Sequence, residues 1–320
     1  MKKVVVIGEI LVEIMADTVG DGFLEPLALT GPFPSGAPAI FIDQVAKIGQ
    51  PCAIISAVGN DDFGEINRSR LARDGVDVSA ISIDASRPTG SAFVRYHRDG
   101  TRDFVYNIKH SACGSISKSD EAVHVLNSAD HVHVMGSSLS SPELVRLNLE
   151  TVRSVKARNG TVSFDPNTRK ELFGAPNLRE AMKEILSLSD VFLPSGEELT
   201  LLTQANDPDT AVAELLALGI ECIVHKLGSE GVRHHNADGS QFVPAFAVKE
   251  IDPTGAGDCF GGAFTALWLQ GYKTDEVLRL ASAAGARAVL HRGPMEGASD
   301  LETLVRFANE HAEQWKGLRT

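Results

Sequence analysis

Short β-branched runs punctuate the chain at "KVVVIG", "AIISAV", "HVHVMG", "TVSFD", "DVFLP" and "CIVHKL". Between them lie amphipathic stretches, among them Ala39 to Ile48, Phe63 to Arg73, Ser141 to Ala157 and Asp209 to Leu218. Apolar residues recur at helical spacing in these stretches, whereas the short runs have the composition of buried strands. Strands that alternate with helices imply βαβ units, and hence a mainly parallel sheet covered on both faces. Ligands of such sheets gather at the carboxyl ends of the strands.

Two segments break the rhythm. "SAFVRYHRDGTRDFVYNI" reads as a hairpin, because Asp99-Gly100 is a turn pair between two β-forming runs. The region from Leu11 to Gly31 lacks helical periodicity and carries Gly20, Gly22, Pro26 and Gly31. Together they predict a small antiparallel patch projecting from the main sheet, either a lid or a surface decoration. Toward the C-terminus, Thr274 to Leu290 and Ser299 to Trp315 read as packing helices. The small residues of "ASAAGARAVL" would admit close approach by a neighbouring helix or by a flat ligand ring.

Composition narrows the class. The chain has 320 residues, 43% hydrophobic and 22% charged, enough for a sizeable core, and no Pro/Ser-rich linker divides it. A single large domain over 1–320 is expected, with its projecting segments at approximately 11–35 and 90–108. A net charge of −12 opposes a general nucleic-acid surface, which needs clustered Lys and Arg. A small phosphorylated ligand needs only a local positive field and stays open. The apolar run in "MKKVVVIGEI" is too short for a signal peptide, and no later run is long enough to span a membrane, so a cytoplasmic protein without a membrane partner is expected. Cys52, Cys113, Cys222 and Cys259 are scattered without C-x-x-C spacing, as buried thiols in a reducing compartment would be. His131 and His133 share one face of their strand, and His234 adjoins His235, but neither pair has a third ligand at metal-binding spacing.

The most informative stretch is "IDPTGAGDCFGGAF", Ile251 to Phe264. Apolar periodicity from Cys259 to Leu269 predicts a buried helix, which puts Gly255, Ala256 and Gly257 at its N-terminus with unpaired backbone N–H groups. Such a turn can hold an anion. It contains no G-x-x-x-x-G-K-[ST] motif, and it follows no strand in the register of a dinucleotide fingerprint. Asp258 in the first turn could simply complement the helix dipole. With Asp252 upstream and glycines that let substrate atoms reach the backbone, it could instead be the base of a phosphoryl transfer whose oxyanions face the amides.

"DPTGAGDCFGGAF" closely resembles the C-terminal signature of the ribokinase-like, or phosphofructokinase B, family of carbohydrate kinases. The likeness extends over nearly the whole chain. "VVVIGEILVEIM" resembles the family's first strand, "PSGAPAIFIDQVAKIG" its glycine-rich substrate segment and "AVGNDDFG" the turn after the second strand. "FDPNTR" resembles the Asp-x-Asn-x-Arg segment of keto-sugar and sugar-acid members. "LPSGEEL" is similar to an Asn-x-x-Glu segment near magnesium and phosphate, and "HKLGSEGV" to a nucleotide-side strand and turn.

The resemblance implies a three-layer α/β/α fold with a projecting β lid, and transfer of the γ-phosphoryl group of ATP, with Mg²⁺, to a primary hydroxyl of a small sugar. It makes Asp258 the base and the amides of Gly255, Ala256 and Gly257 the anion hole. Thr254, Gly228 and Gly231 would border the nucleotide, and Ala283, Ala284 and Gly285 would pack near its adenine. Glu198 would organise magnesium-bound phosphates through water. Glu13, Gly36, Arg169 and Asp258 would contact the sugar, and Asp252 and Thr254 would hold a monovalent cation such as K⁺. A homodimer through the lid is implied as well. Lys226 reads as a strand-end lysine with no catalytic role.

The chain departs from the family pattern mainly where the sugar would be chosen. Glu13 stands for the usual Asp, Ile40 for an Asn that contacts the sugar, Ser35 for the opening glycine and Ser195 for the Asn of the magnesium segment. "FDPNTR" and "GPMEG" look closest to tagatose, fructose and keto-deoxygluconate kinases, which favours a ketohexose or a 2-keto-3-deoxy sugar acid. A nucleoside kinase and a sugar sensor that has lost turnover are the competing readings.

Overall fold

The computed structural model describes residues 1–99, 101–168 and 178–315. The chain starts with a fully buried strand, β1 (Val4–Ile7), and leaves the sheet at once for β2 (Leu11–Ala16) and β3 (Leu29–Ser35). It returns through α1 (Ala37–Lys47), β4 (Cys52–Gly59), α2 (Asp62–Arg73) and β5 (Ile81–Asp84). A second excursion makes β6 (Gly90–Tyr96) and β7 (Arg102–Asn107). Then follow α3 (Asp120–Asn127), β8 (His131–Met135), α4 (Pro142–Ala157), β9 (Thr161–Asp165), α5 (Leu178–Ser187) and the two-residue β10 (Val191–Phe192). The C-terminal part runs α6 (Glu198–Leu201), α7 (Pro208–Ala217), β11 (Cys222–Lys226), β12 (Gly231–Asn236), β13 (Gly239–Pro244), α8 (Ala256–Leu269), α9 (Thr274–Val289) and α10 (Leu301–Glu310).

Helix starts follow local chemistry. Asp61, Ser119, Ser141, Asp207 and Asp300 each accept a backbone N–H of the first turn, and Pro142 and Pro208 supply the fixed φ that suits the first helical position. Among the described residues, nine strands form the main sheet in the order β13-β12-β11-β10-β9-β8-β1-β4-β5. Pairing is parallel from β5 through to β11 and antiparallel at β12 and β13. Because side chains alternate across β1, Val4 and Val6 join an apolar layer with α1, α8, α9 and α10, while Val5 and Ile7 join the opposite layer with α3, α4, α5 and α7. This is the expected three-layer α/β/α arrangement.

The two excursions form a separate sheet in the order β3-β2-β6-β7. Its outer pairs are antiparallel, as expected, while the central pair β2–β6 runs parallel with Glu13 opposite Ala92. A direct hairpin cannot join parallel neighbours, and here α1, β4, α2 and β5 intervene. Gly100 of the anticipated turn lies outside the described residues. The order of the main sheet reverses at β1, whose successor in the chain, β4, lies on one side and β8 on the other. The lid therefore leaves the carboxyl end of the strand beside which a ligand crevice opens.

The small residues of α9 serve helix packing. Ala281, Ala283 and Ala284 are fully buried, and a Cβ on Gly285 would meet Ala256 O at 3.3 Å. The paired histidines are core groups: His131 and His133 both bond the Ser163 hydroxyl, and His133 stacks on Phe41.

Candidate active site

The site is built around the start of α8. Gly255 caps the helix in the left-handed region, with φ of 79°, and a Cβ there would lie 2.4 Å from Pro294 O. Any other residue would push this turn off the Gly293 to Gly297 loop. Ala256 and Gly257 follow as the first helical residues, where N–H groups lack a partner one helical turn back and attract negative charge, although the Ala256 N–H already makes a long bond to Pro253 O at 3.4 Å. Asp258, half-buried, lies in the same turn. Asn167 Nδ2 is 3.4 Å from its Oδ1.

Asn167 comes from the carboxyl end of β9 and has a φ of 35°, which asparagine tolerates better than most residues. Its N–H donates to Asp165 Oδ1 at 3.1 Å, and Asp165 Oδ2 accepts from Lys226 Nζ. Burial pushes the Asp165 carboxyl above its ordinary value, against the pull of the Lys226 ammonium. The same ammonium lies 3.8 Å from where a Cβ on Gly257 would stand. One chain of polar contacts, ionic at Lys226–Asp165 and carried on by the Asn167 amide, thus runs from the end of β11, through the end of β9, to the first turn of α8.

Glu198 is held by three donors. Its Oε1 accepts Thr168 N–H and Oγ1, both at 2.7 Å, and its Oε2 accepts Ser195 N–H at 2.8 Å. Ser195 therefore meets Glu198 through its backbone. Gly228 and Gly231 bracket the turn between β11 and β12, and a Cβ on Gly231 would collide with Val243 O. Ala283 and Ala284 present no surface to a ligand, because helix packing covers them completely, and of that trio only Gly285 is partly exposed.

On the lid side, Glu13 is buried and its Oε1 accepts the Ser35 hydroxyl at 2.7 Å. Ser35 thus engages the carboxylate that stands where a shorter acid is usual. Gly36 caps α1, where a Cβ would lie 2.4 Å from Glu9 O. Its first partner is the β1–β2 connection. Ile40 is buried, with Cγ2 3.2 Å from the Cβ position of Gly255, so this apolar residue packs beneath the turn into α8. Arg169 lies outside the described residues. A cavity of about 630 Å³ opens between the N-terminus of α2 and the lid, lined by Asp61, Thr89, Ser91, Tyr106 and Asn107 among others. None of Glu13, Gly36 and Asp258 lines it.

The lid also reaches the turn directly. Tyr96 and Arg102 are cross-strand partners at the tip of β6–β7. The Tyr96 hydroxyl donates to Asp252 Oδ1 at 2.5 Å, and Arg102 Nη1 donates to Thr254 Oγ1 at 3.1 Å. Buried Asp252 also accepts Thr254 N–H at 3.0 Å and Gly293 N–H at 2.9 Å. Burial, then the bond to Asp252, pushes the Tyr96 hydroxyl pKa up, so it stays a donor. Sequence reasoning did not single out Tyr96, Arg102, Asp165 or Asn167, and it read Lys226 as a strand-end residue. "FDPNTR" held a signal for Asp165 and Asn167, whereas the lid contacts have no local signature.

Comparisons with known proteins agree with this geometry. The pattern of the pfkB family carbohydrate kinases matches residues 1–303. A 2-dehydro-3-deoxygluconokinase of Thermoproteus tenax is 33% identical over 302 residues, covering 92% of this chain and 91% of its own. The crystal structure of a putative ribokinase II from E. coli in complex with ATP and Mg²⁺ superposes with a TM-score of 0.91 at 46% identity, covering 97% of this chain and all of that one. A fructokinase double mutant from Vibrio cholerae O395, bound to fructose, ADP and potassium ion, gives a TM-score of 0.82 at 25% identity, covering 96% of this chain and 98% of that chain. A signature turn capped as the fold demands, a projecting lid and a match spanning nearly the whole chain lead to one conclusion: the protein belongs to the pfkB family of carbohydrate kinases.

Proposed function

We propose that the protein transfers the γ-phosphoryl group of ATP to a primary hydroxyl of a ketohexose or a 2-keto-3-deoxy sugar acid. The observation that carries this reading is the placement of Asp258 in the first turn of α8, beside the helix-start amides of Gly255, Ala256 and Gly257. The carboxylate takes the hydroxyl proton as the sugar oxygen attacks, and the amides receive the charge that develops on the phosphoryl oxygens. Glu13, oriented by Ser35, accepts sugar hydroxyls on the lid side. Gly36 keeps the chain close beneath the sugar, and Arg169 binds its carbonyl or carboxylate end. Gly228, Gly231, Thr254 and Gly285 border the nucleotide.

Magnesium supplies charge neutralisation on the phosphates when bound. Glu198 suits a water-mediated contact with it, since Oε1 is already used twice and Oε2 retains one acceptor position. Asp252 Oδ2 likewise retains one position beyond the Gly293 N–H, which a monovalent cation such as K⁺ would use alongside Thr254. The outer lid face, with Val105 47% exposed, would be covered by a second copy of the chain. Four buried free thiols accord with a reducing, cytoplasmic setting, and among the described residues no helix is long and apolar enough to cross a membrane.

Sugar-dependent ADP release, measured over ketohexoses, aldohexoses, pentoses, keto-deoxy sugar acids and adenosine with and without potassium, tests the proposal. We expect one preferred keto substrate and a fall in turnover of about 10²–10⁴-fold for Asp258→Asn. Normal turnover by that variant would remove Asp258 as the base, and silence across the panel with sugar still bound would favour the sensor.

A further inference from the structure

The first turn of α8 contains one glycine that the fold does not require. At Gly255 a side chain would strike Pro294 O, but at Gly257 the helical backbone leaves room for a Cβ. Among the described residues beyond its own turn, the only atom within 4 Å of that position is Lys226 Nζ, at 3.8 Å. Gly257 is exposed, so the space is a gap open to solvent, bounded on one side by backbone amides and on the other by an ammonium. A phosphoryl group entering there would meet hydrogen-bond donors on both sides.

Lys226 is held there deliberately. Its side chain is 11% exposed and that of Asp165 3%, so the pair is almost removed from water. Asp165 is fixed in turn by Asn167 N–H at 3.1 Å. Asp165 is the one described acceptor of the Lys226 ammonium, which has three N–H donors, so two remain to be directed at a ligand.

We infer that Lys226 is a catalytic residue whose ammonium contacts the phosphoryl group as it passes from ATP to the sugar, opposite the amides of α8. This rests on the kinase reading above. In the step, the sugar hydroxyl oxygen forms a bond to the γ-phosphorus and the bond from that phosphorus to the β,γ-bridging oxygen breaks. The electron pair of that bond leaves on ADP, and the hydroxyl proton passes to Asp258. Lys226 takes no part in the proton transfer, and its ammonium opposes the charge gathering on the non-bridging and leaving oxygens. Asp165 is the positioning residue that aims it. The bland alternative is that Lys226 merely neutralises a buried carboxylate. A pair with only that role can be replaced by neutral residues at little loss, whereas removing one partner is costly.

The experiment compares wild type, Lys226→Met, Lys226→Arg and the double variant Asp165→Asn/Lys226→Met in melting temperature, MgATP and MgADP binding, and steady-state turnover on the preferred sugar. We expect Lys226→Met to melt early and the double variant to recover a wild-type melt. Both should lose about 10²–10³-fold in kcat together with any preference for MgATP over MgADP in binding. Lys226→Arg should regain part of the rate, since it keeps the charge but not the geometry. A double variant that melts normally and retains wild-type kcat and nucleotide preference overturns the assignment while leaving the kinase intact. A wild-type protein that turns over no sugar overturns the kinase reading itself, a result distinguishable because it precedes any variant.

Discussion

Single side chains set how this molecule responds to pH. Asp43, on the buried face of α1, is completely covered, and burial pushes its carboxyl up to about 7 from the ordinary 3.8. Arg70, with Nη2 3.4 Å away, and Lys47 pull it down, while Asp74 pushes it further up. The folded protein therefore keeps a proton that the unfolded chain releases between those two values. Stability from this group is present at the acid end of that window, is lost as pH rises through it, and changes no further above about 7. The slope is at most about 1.4 kcal/mol per pH unit. Asp43→Asn should flatten the fall in melting temperature between about pH 5 and pH 7, and should melt higher than wild type at alkaline pH. Thermal melts across that range check it, and an unchanged slope would show that Asp43 is ionised in the fold. Asp43 sits in a helix whose amphipathic pattern was readable, but its burial depended on Arg70 and the Met295 loop arriving from elsewhere.

At the scale of elements, the turn into α8 carries the most concentrated demand. Gly255→Ala would place a Cβ 2.4 Å from Pro294 O on a residue with φ of 79°. The substitution should cost about 1–3 kcal/mol in stability. It should also reduce kcat by more than tenfold, because the amides that follow would be re-aimed. Gly257→Ala, at a helical position with space, should leave the melt unchanged and act on turnover alone; melting curves beside kcat for the two variants separate these effects. This element was legible from its glycines and apolar period, as were the strands at Val4–Ile7, His131–Met135 and Cys222–Lys226, whose β-branched runs match their buried lengths. The β12–β13 hairpin was less legible: "VRHHN" and "SQFVP" mix polar and apolar residues because one face is exposed at the sheet edge. The final helix stops at Glu310, short of its anticipated end, and tightens into a 3₁₀ turn at Ala312–Trp315. For Ala283 and Ala284 the small size suits either a neighbouring helix or a flat ligand ring. In the fold it brings α9 against α8, a distinction that periodicity cannot make because both uses want the same small face.

Across the whole molecule, the lid and the turn into α8 are joined by residues about 150 positions apart. Tyr96 and Asp252 meet across 156 positions, and Arg102 and Thr254 across 152. No local pattern announces such a pair, which is why the lid was readable as a segment but its anchor was not. The Tyr96 hydroxyl bonds a carboxylate that also orders Thr254 and Gly293, so the posture of the lid and the shape of the turn depend on one side chain. On the proposed function, closure of the lid over the sugar would keep water from competing for the phosphoryl group. Tyr96→Phe removes a bond to a charged acceptor, a contribution of about 1.5–3 kcal/mol, while leaving Asp252 its two backbone donors. If that bond favours the closed posture, kcat/KM for the sugar should fall about tenfold or more, MgATP affinity should hold, and ATP hydrolysis should rise relative to sugar phosphorylation. Inorganic phosphate and sugar phosphate measured in the same reaction give that ratio directly. An unchanged ratio with unchanged kcat/KM would mean that the lid is held by its other contacts, among them Arg102 with Thr254, Arg292 with Asp17 and Phe33 against Gly293.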